Sequence, residues 1–335
     1  MSRMTELFGL FMLTVITLLL GSCGGGSQHV TTEVYVLVAT NIKIPYWQSA
    51  AAGLKSAATQ LGVKYDFVGP DTYNPEGERE EFRRLLARKP EPSGIMVSAA
   101  DAELMKPQID SAITQGIPVV TIDSDAPASK RLVYIGTDNY QAGRMGARVA
   151  ADRLNGKGNV VVFTMPEQLN LNDRLHGYQD VFQQHPQLKI TEVVDIKGDP
   201  ALAFDKTSQV VDKARDSVDA FVCLEALACK EVAEVLDRKH VSGKLIVAMD
   251  TDELTLEWIQ KGAIAATVAQ KPYTMAFTAL KILDDLHHHM PASLDRNWAQ
   301  DPFSPIPVFV DTGATLVDKN NVAAFVQARG VATGN

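Results

Sequence analysis

The chain has 335 residues, of which 46% are hydrophobic and 21% are charged, as is typical of a soluble globular protein. Its 23 glycines and 16 prolines exclude collagen-like and low-complexity classes. The formal net charge is -8 and no block of basic residues occurs, so no nucleic-acid partner is predicted. The length is sufficient for two buried cores.

The N-terminus has the pattern of a leader. Residues 7–20 form an apolar run that is shorter than the roughly 20 residues of a membrane-spanning helix. The run ends in Leu20-Gly21-Ser22-Cys23, which resembles a bacterial lipobox, where cleavage precedes a lipidated cysteine. We expect residues 1–22 to be a lipoprotein signal peptide, Cys23 to carry lipid, and residues 23–32 to form a flexible tether. A plain secretory signal or a short membrane anchor is the alternative.

Short β-branched runs alternate with amphipathic segments through the rest of the chain. Solid apolar strands between helices predict parallel sheets that are covered on both faces. Because the pattern restarts after residues 132–135, each half has about five predicted strands, enough for a doubly wound lobe. The predicted strands are 34–39, 65–68, 94–98, 117–122, 132–135, 159–164, 190–195, 220–224, 245–250 and 265–269, and the predicted helices are 47–61, 75–88, 102–115, 140–154, 172–184, 201–215, 229–238, 253–261 and 273–287.

Two further cysteines, Cys223 and Cys229, are six positions apart. An extracytoplasmic compartment permits a disulfide between them, and two buried free thiols are the alternative. No third or fourth ligand has the spacing of a zinc site. The run His287-His288-His289 does not predict a metal site either, because consecutive helical residues point in different directions. We therefore expect neither a metal nor a cofactor.

Polar and aromatic residues follow the predicted strands, where doubly wound sheets bind their ligands. Carboxylates accept hydrogen bonds from vicinal hydroxyls, arginine donates several, and aromatic faces pack on sugar C–H groups. Such a set is typical of a site for a polyhydroxylated ligand. The candidates are Asn41, Tyr46 and Trp47 after the first strand, Asp123 after the fourth, Arg174 in a later helix, and Glu225, Asp250 and Gln270 after strands of the second half.

Five stretches of the chain carry a family pattern: Pro45-Tyr46-Trp47, residues 116–123 (GIPVVTID), residues 135–139 (IGTDN), Arg174 with Gly177-Tyr178, and residues 265–270 (AATVAQ). Together they resemble periplasmic sugar-binding proteins of the ribose-binding type, from about Glu33 to the C-terminus. The resemblance implies the type I periplasmic binding protein fold, an α/β fold of two doubly wound parallel-sheet lobes joined by a three-strand hinge.

The expected lobes are discontinuous in sequence. The N-terminal lobe would contain residues 33–137 and 271–305, and the C-terminal lobe residues 138–270 and 306–330. The chain would cross between them near Thr137-Asp138, Gln270-Lys271 and Pro305–Pro307.

The resemblance also implies roles for six candidates. Tyr46 and Trp47 match the aromatic pair that holds the sugar from the first lobe, and Asp123 matches a hydroxyl-binding aspartate. The polar contacts of the second lobe and hinge are matched by Arg174, Asp250 and Gln270.

Three positions depart from the family pattern. Ser124 replaces an arginine, Ile44 stands where an asparagine is usual, and Leu224 stands where ribose binders have an asparagine. A larger or differently hydroxylated sugar, or a cyclic polyol, therefore fits as well as ribose.

Each candidate also has a purely structural interpretation. The two aromatic residues can pack between the lobes or in an ordinary core, and Asp123 and Asp250 can cap helices. Arg174 can pair with a carboxylate, and Gln270 can satisfy backbone groups of the hinge. Asp125 and Asp252 are expected to be solvated or to cap helices.

The implied function is that of a lipid-anchored solute receptor in the periplasm or at the cell surface. As a monomer it would capture a monosaccharide or polyol and deliver it to the permease subunits of an ABC importer. The alternative is a sugar sensor that signals to a membrane chemoreceptor or kinase. A transcriptional repressor of the same fold would need an N-terminal helix-turn-helix. This chain has an apolar leader there instead, so a repressor is not expected. No phosphate-loop, G-x-S-x-G or H-E-x-x-H motif occurs, so no enzyme is expected.

Overall fold

The computed structural model describes residues 29–30, 32–291 and 293–333. The predicted signal peptide, Cys23 and most of the predicted tether lie outside the described residues. Within the described ranges, no helix has the length and apolar character needed to cross a membrane.

Up to His288 the described chain alternates strands and helices in the predicted order, and two strands and a helix that were not predicted follow. The strands are β1 Val34–Val38, β2 Lys64–Val68, β3 Gly94–Val97, β4 Val119–Ile122, β5 Tyr134–Gly136, β6 Lys157–Thr164, β7 Gln187–Asp195, β8 Ala220–Cys223, β9 Leu245–Met249, β10 Ala266–Ala269, β11 Phe309–Asp311 and β12 Thr315–Asp318. The α-helices are α1 Pro45–Leu61, α2 Pro75–Leu86, α3 Ala102–Thr114, α4 Asn139–Arg153, α5 Leu169–Gln183, α6 Pro200–Ala214, α7 Ala228–Arg238, α8 Glu253–Lys261, α9 Pro272–His288 and α10 Val322–Thr333.

The strands form two six-stranded sheets. The first has the order β11-β5-β4-β3-β1-β2 and is entirely parallel, and the second has the order β12-β10-β9-β8-β6-β7. Only β12 of the described strands runs antiparallel to its neighbour. Because helices cover both faces, the central strands β1, β3, β4, β8 and β10 are buried along their whole length. These sheets confirm the predicted α/β fold of two lobes, each with its own core.

The chain passes between the sheets at three places: Thr137–Asp138, Gln270–Lys271 and residues 312–314. The third crossing differs from the expected Pro305–Pro307. The reason is that β11 pairs with β5, so residues up to Asp311 belong to the first lobe. The expectation that the second lobe resumes at residue 306 is therefore wrong, and each sheet has six strands where about five were expected.

Candidate functional site

A cavity of about 70 Å³ lies between the carboxyl ends of the two sheets, and both lobes line it. All eight residues that the sequence singled out are in its wall: Asn41, Tyr46, Trp47 and Asp123 from the first lobe, and Arg174, Glu225, Asp250 and Gln270 from the second lobe and the crossing. The cavity therefore lies where ligands bind to doubly wound sheets.

Asp123 is the centre of the first-lobe wall, and only 8% of its surface is exposed. The Tyr46 hydroxyl donates a hydrogen bond to Asp123 Oδ1 at 2.6 Å, and the Ser98 hydroxyl donates to Oδ2 at 3.3 Å. Burial raises the pKa of Asp123, while Arg174 and the Tyr46 hydroxyl oppose the rise. These contacts fix a carboxylate at the edge of the cavity with acceptor capacity left for a ligand.

Arg174 is 2% exposed and donates hydrogen bonds to three neutral oxygens. The acceptors are Asn139 Oδ1 at 2.9 Å, the Leu224 carbonyl at 2.6 Å and Gln270 Oε1 at 2.8 Å. These three partners are uncharged, and the Arg174 charge acts on the nearby carboxylates of Asp123 and Asp250. A guanidinium has five N–H groups, so these bonds leave two donors for a ligand.

Gln270 joins Arg174 to Asp250 at the second crossing between the lobes. Its Oε1 accepts from Arg174 and also from the Thr137 hydroxyl at 3.0 Å, and its Nε2 donates to Asp250 Oδ1 at 3.0 Å. Thr137 belongs to the first crossing. The amide therefore links two crossings to two charged groups of the cavity.

The position of Arg174 depends on close contact between α4 and α5. A Cβ atom on Gly143 would lie 2.1 Å from the Arg174 carbonyl oxygen, and one on Gly177 would lie 2.3 Å from the Tyr140 carbonyl oxygen. Both distances are far below van der Waals contact. Because both positions are glycine, the helices approach closely enough to place the guanidinium at the cavity.

Three residues of the cavity wall have left-handed backbone conformations. The φ angles are 59° at Asn41, 61° at Asp123 and 67° at Asp250. Residues other than glycine adopt this region rarely, and asparagine and aspartate adopt it most readily. Neither Asp123 nor Asp250 caps a helix. Asp252 instead caps α8 through the Thr255 N–H, as was expected for it.

The second-lobe carboxylates lie in a strongly desolvated environment. Burial raises the pKa of Asp250 to about 7, although Arg174 and the Gln270 amide act in the opposite direction. Burial also raises the pKa of Glu225 to about 7. The two Glu225 oxygens accept from the N–H groups of Leu227 and Ala228 at the start of α7, so this side chain both lines the cavity and anchors a helix.

A disulfide supports the same loop. Cys223 and Cys229 are joined, with their Cα atoms 5.7 Å apart, which resolves the two alternatives that the sequence left open. The bridge connects the end of β8 to the first turn of α7 and encloses the Leu224 carbonyl and Glu225.

Several cavity residues were not found from the sequence. Asn170 precedes Arg174 by one helical turn and shares its face of α5, a spacing that could have revealed it. Its Nδ2 donates to the Asp123 carbonyl at 3.4 Å, which makes a contact between the lobes. Tyr73 lines the cavity from the first lobe and packs against Gly198 of the second, and no local pattern predicts this.

The three residues that depart from the family pattern are buried or partly buried. Ile44 is partly buried and packs against the cores of both lobes, and Ser124 is buried beside Asp123. Leu224 is buried in the second core, where its backbone carbonyl, rather than a side-chain amide, contacts Arg174.

The chain resembles known proteins over most of its length. A family model described as a periplasmic binding protein domain matches residues 35–288. The ribose import binding protein of Bacillus subtilis (strain 168) is 25% identical over 274 residues, which are 80% of this chain and 85% of that protein.

Solved structures of sugar-binding proteins also resemble this chain over most of its length. A glucose-galactose binding protein from Geobacillus stearothermophilus is 28% identical with a TM-score of 0.78, covering 88% of this chain and 99% of that one. A chain of the XylFII-LytSN complex is 26% identical with a TM-score of 0.75, covering 87% of this chain and 99% of that one. These matches confirm the two-lobe fold and the interpretation as a binding protein rather than an enzyme. The chain belongs to the periplasmic binding protein family, which implies a location outside the cytoplasm.

Proposed function

We propose that this protein captures one monosaccharide or cyclic polyol between its lobes and delivers it to an ABC importer. The observation that carries the proposal is the cavity itself: buried Asp123, Asp250 and Arg174 converge from both lobes beside the aromatic side chains of Tyr46 and Trp47. Carboxylate oxygens accept bonds from sugar hydroxyls, the two remaining Arg174 N–H groups donate to sugar oxygens, and the aromatic faces cover C–H groups.

The proposed mechanism is lobe closure without chemistry on the ligand. A ligand that contacts both lobes binds the closed form more tightly than the open form, and so shifts the population toward closure. The crossings at Thr137–Asp138, Gln270–Lys271 and residues 312–314 are the segments in which backbone rotation would occur. Gln270 supports this mechanism because it hydrogen-bonds to Arg174 and Asp250 at a crossing, so that a sugar held by these groups biases the hinge.

A thermal-unfolding screen against pentoses, hexoses and inositols tests the ligand class. At a hundred times Kd, a ligand adds about 2.7 kcal/mol to the free energy of unfolding, which is several degrees in Tm for a chain of this size. Calorimetry on the best compound should give one site per chain, and small-angle scattering should show a smaller radius of gyration with ligand. Recovered sugar should be unchanged. If no member of the three classes stabilises the protein, the proposal is wrong.

Asp123→Asn tests the site directly. The amide keeps the size of the side chain and tolerates the left-handed backbone, but it loses the charge. Loss of a charge-assisted hydrogen bond costs about 1.5–3 kcal/mol, which corresponds to about 10- to 150-fold in affinity. Asp252→Asn is the matched control, because Asp252 caps α8 and asparagine caps equally well. Equal affinities in the two variants would remove Asp123 from the site.

The proposal includes attachment to the membrane by lipid on Cys23. A single acyl chain binds membranes marginally, whereas two or more anchor a protein stably. Mass spectrometry of the native N-terminal peptide should therefore show a mature chain that begins at an acylated Cys23. An unmodified Cys23, or cleavage elsewhere, contradicts the anchor without affecting the sugar site.

The second candidate function is sugar sensing, and the similarity to a chain of the XylFII-LytSN complex favours it. The effect of a gene deletion on sugar uptake and on sugar-induced transcription distinguishes the two functions. Loss of labelled-sugar uptake while the permease is expressed from a constitutive promoter supports delivery to an importer. Intact uptake with loss of sugar-induced transcription supports a sensor.

A further inference from the structure

Four side chains that commonly bind transition metals converge at the end of the first lobe opposite the sugar cavity. His29 and Glu33 come from the segment just before β1, and Asp284 and His288 come from the last turns of α9. One ligand atom from each residue lies within 4.8 Å of the corresponding atom of every other. The cluster is at the amino end of β1, whereas the cavity lies beyond the carboxyl ends of the strands.

The distances within the cluster fit a tetrahedral site. His29 Nδ1 lies 3.0 Å from Glu33 Oε2, 3.4 Å from Asp284 Oδ1 and 3.2 Å from His288 Nε2. His288 Nε2 lies 3.4 Å from Glu33 Oε2 and 3.7 Å from Asp284 Oδ1. Tetrahedral zinc with nitrogen and oxygen ligands at about 2.0–2.1 Å places those ligand atoms about 3.3–3.4 Å apart. Five of the six ligand–ligand distances therefore already bracket those of a coordinated ion, and the sixth, between Glu33 and Asp284, is within 4.8 Å.

Further contacts orient the carboxylates. The Val30 N–H donates to Glu33 Oε1 at 2.7 Å, which leaves Oε2 facing both imidazoles. The Tyr35 hydroxyl donates to Asp284 Oδ1 at 3.1 Å, and Tyr35 is completely buried. Glu33 itself is only 4% exposed. Hydrogen bonds of this kind, made by groups behind the ligands, hold metal ligands in their coordinating orientation.

We propose that His29, Glu33, Asp284 and His288 bind one divalent transition-metal ion of the zinc class. Two carboxylates balance the charge of a dication, and two imidazoles select zinc-like ions over calcium and magnesium, which prefer oxygen ligands throughout. Four protein ligands leave no open position, which is the pattern of a structural site. The ion would tie the point where the N-terminal segment enters the lobe to the end of α9.

The cluster differs from the histidine run that the sequence displays. Of His287-His288-His289 only His288 takes part, in agreement with the divergent directions of consecutive helical residues. Its partner His29 is 259 positions away, so the sequence offers no spacing that predicts the site.

Metal titration of the purified protein tests the proposal. The protein is prepared without a histidine tag, stripped of metal with EDTA and titrated with ZnCl2 by calorimetry. The absorption spectrum after addition of CoCl2 reports the coordination geometry. We expect one ion per chain, a tetrahedral cobalt spectrum and a higher Tm with zinc. Loss of a supporting hydrogen bond costs about 10- to 100-fold in metal affinity. Tyr35→Phe should therefore weaken zinc binding about 10-fold, and His288→Asn by at least as much.

His289→Asn is the matched control, because His289 is exposed at the same helix end and its ring contacts Asp285, which is not one of the four proposed ligands. This variant should bind zinc like the unaltered protein, and circular dichroism should show that all variants are folded. Absence of saturable zinc binding overturns the proposal. Equal affinity in His288→Asn and His289→Asn also overturns it, and the four side chains are then a hydrogen-bonded network of histidines and carboxylates.

Discussion

The replacement Asp250→Asn should stabilise the sugar-free protein while weakening its binding of sugar. Burial raises the pKa of Asp250 from 3.8 to about 7, so the folded protein binds a proton at this site more tightly than the unfolded chain does. The stabilisation from this proton is fully present below pH 3.8 and is lost as the pH rises through about 7. Asparagine keeps the acceptor for Gln270 and tolerates the φ angle of 67°, but it has no charge to desolvate.

The size of the effect follows from the pKa shift. A rise of about three units corresponds to at most about 4 kcal/mol, since one unit is 1.36 kcal/mol. At pH 8 Asp250 is ionised in both states and the folded protein bears this cost, whereas at pH 5 it remains protonated in the folded state. The variant should therefore gain several degrees in Tm at pH 8 and much less at pH 5. Its sugar affinity should fall about 10- to 150-fold through the lost charge-assisted bond.

Differential scanning calorimetry from pH 5 to pH 8 and titration calorimetry with the cognate sugar measure the two effects. Asp252→Asn is the control, because it makes the same chemical change two residues away at a helix cap. A difference in Tm between Asp250→Asn and the unaltered protein that does not vary with pH would refute the reasoning. So would a variant that is less stable than the unaltered protein at pH 8.

Three further predictions concern the supports of the cavity. Tyr46→Phe removes the 2.6 Å hydrogen bond to Asp123 and should weaken sugar binding about 10-fold, as measured by calorimetry. Reduction of the Cys223–Cys229 bridge with dithiothreitol should lower the free energy of unfolding by about 2 kcal/mol. It should also weaken sugar binding, because the loop that the bridge encloses contacts Arg174. Unchanged sugar affinity would show that the bridge does not support the site. Gly143→Ala places a Cβ atom 2.1 Å from the Arg174 carbonyl and should cost about 1–3 kcal/mol in a denaturant titration, with weaker sugar binding.

The sequence predicted the parts of the fold that repeat, but not the parts that depend on distant contacts. Buried parallel strands are recognisable because both of their faces are apolar, and the ends of those strands indicated seven of the eight candidate cavity residues; Arg174, the eighth, lies in a helix. The edge strands β11 and β12 were missed because they are short and only partly buried, and the third crossing was misplaced with them. Asn170 and Tyr73 contribute through contact between lobes, which no local pattern encodes.

The backbone of the cavity wall supports a role for its side chains beyond packing. Asn41, Asp123 and Asp250 follow β1, β4 and β9 in left-handed conformations, which cost about 1 kcal/mol or more for residues with a Cβ atom. Glycine would adopt these conformations with no steric cost, so stability of the turns alone favours glycine at all three positions. At Asp250 the penalty for burying a charge is added to the backbone cost. Because both costs fall on side chains that line the cavity, they are best explained by the ligand that these polar groups would bind when the lobes close.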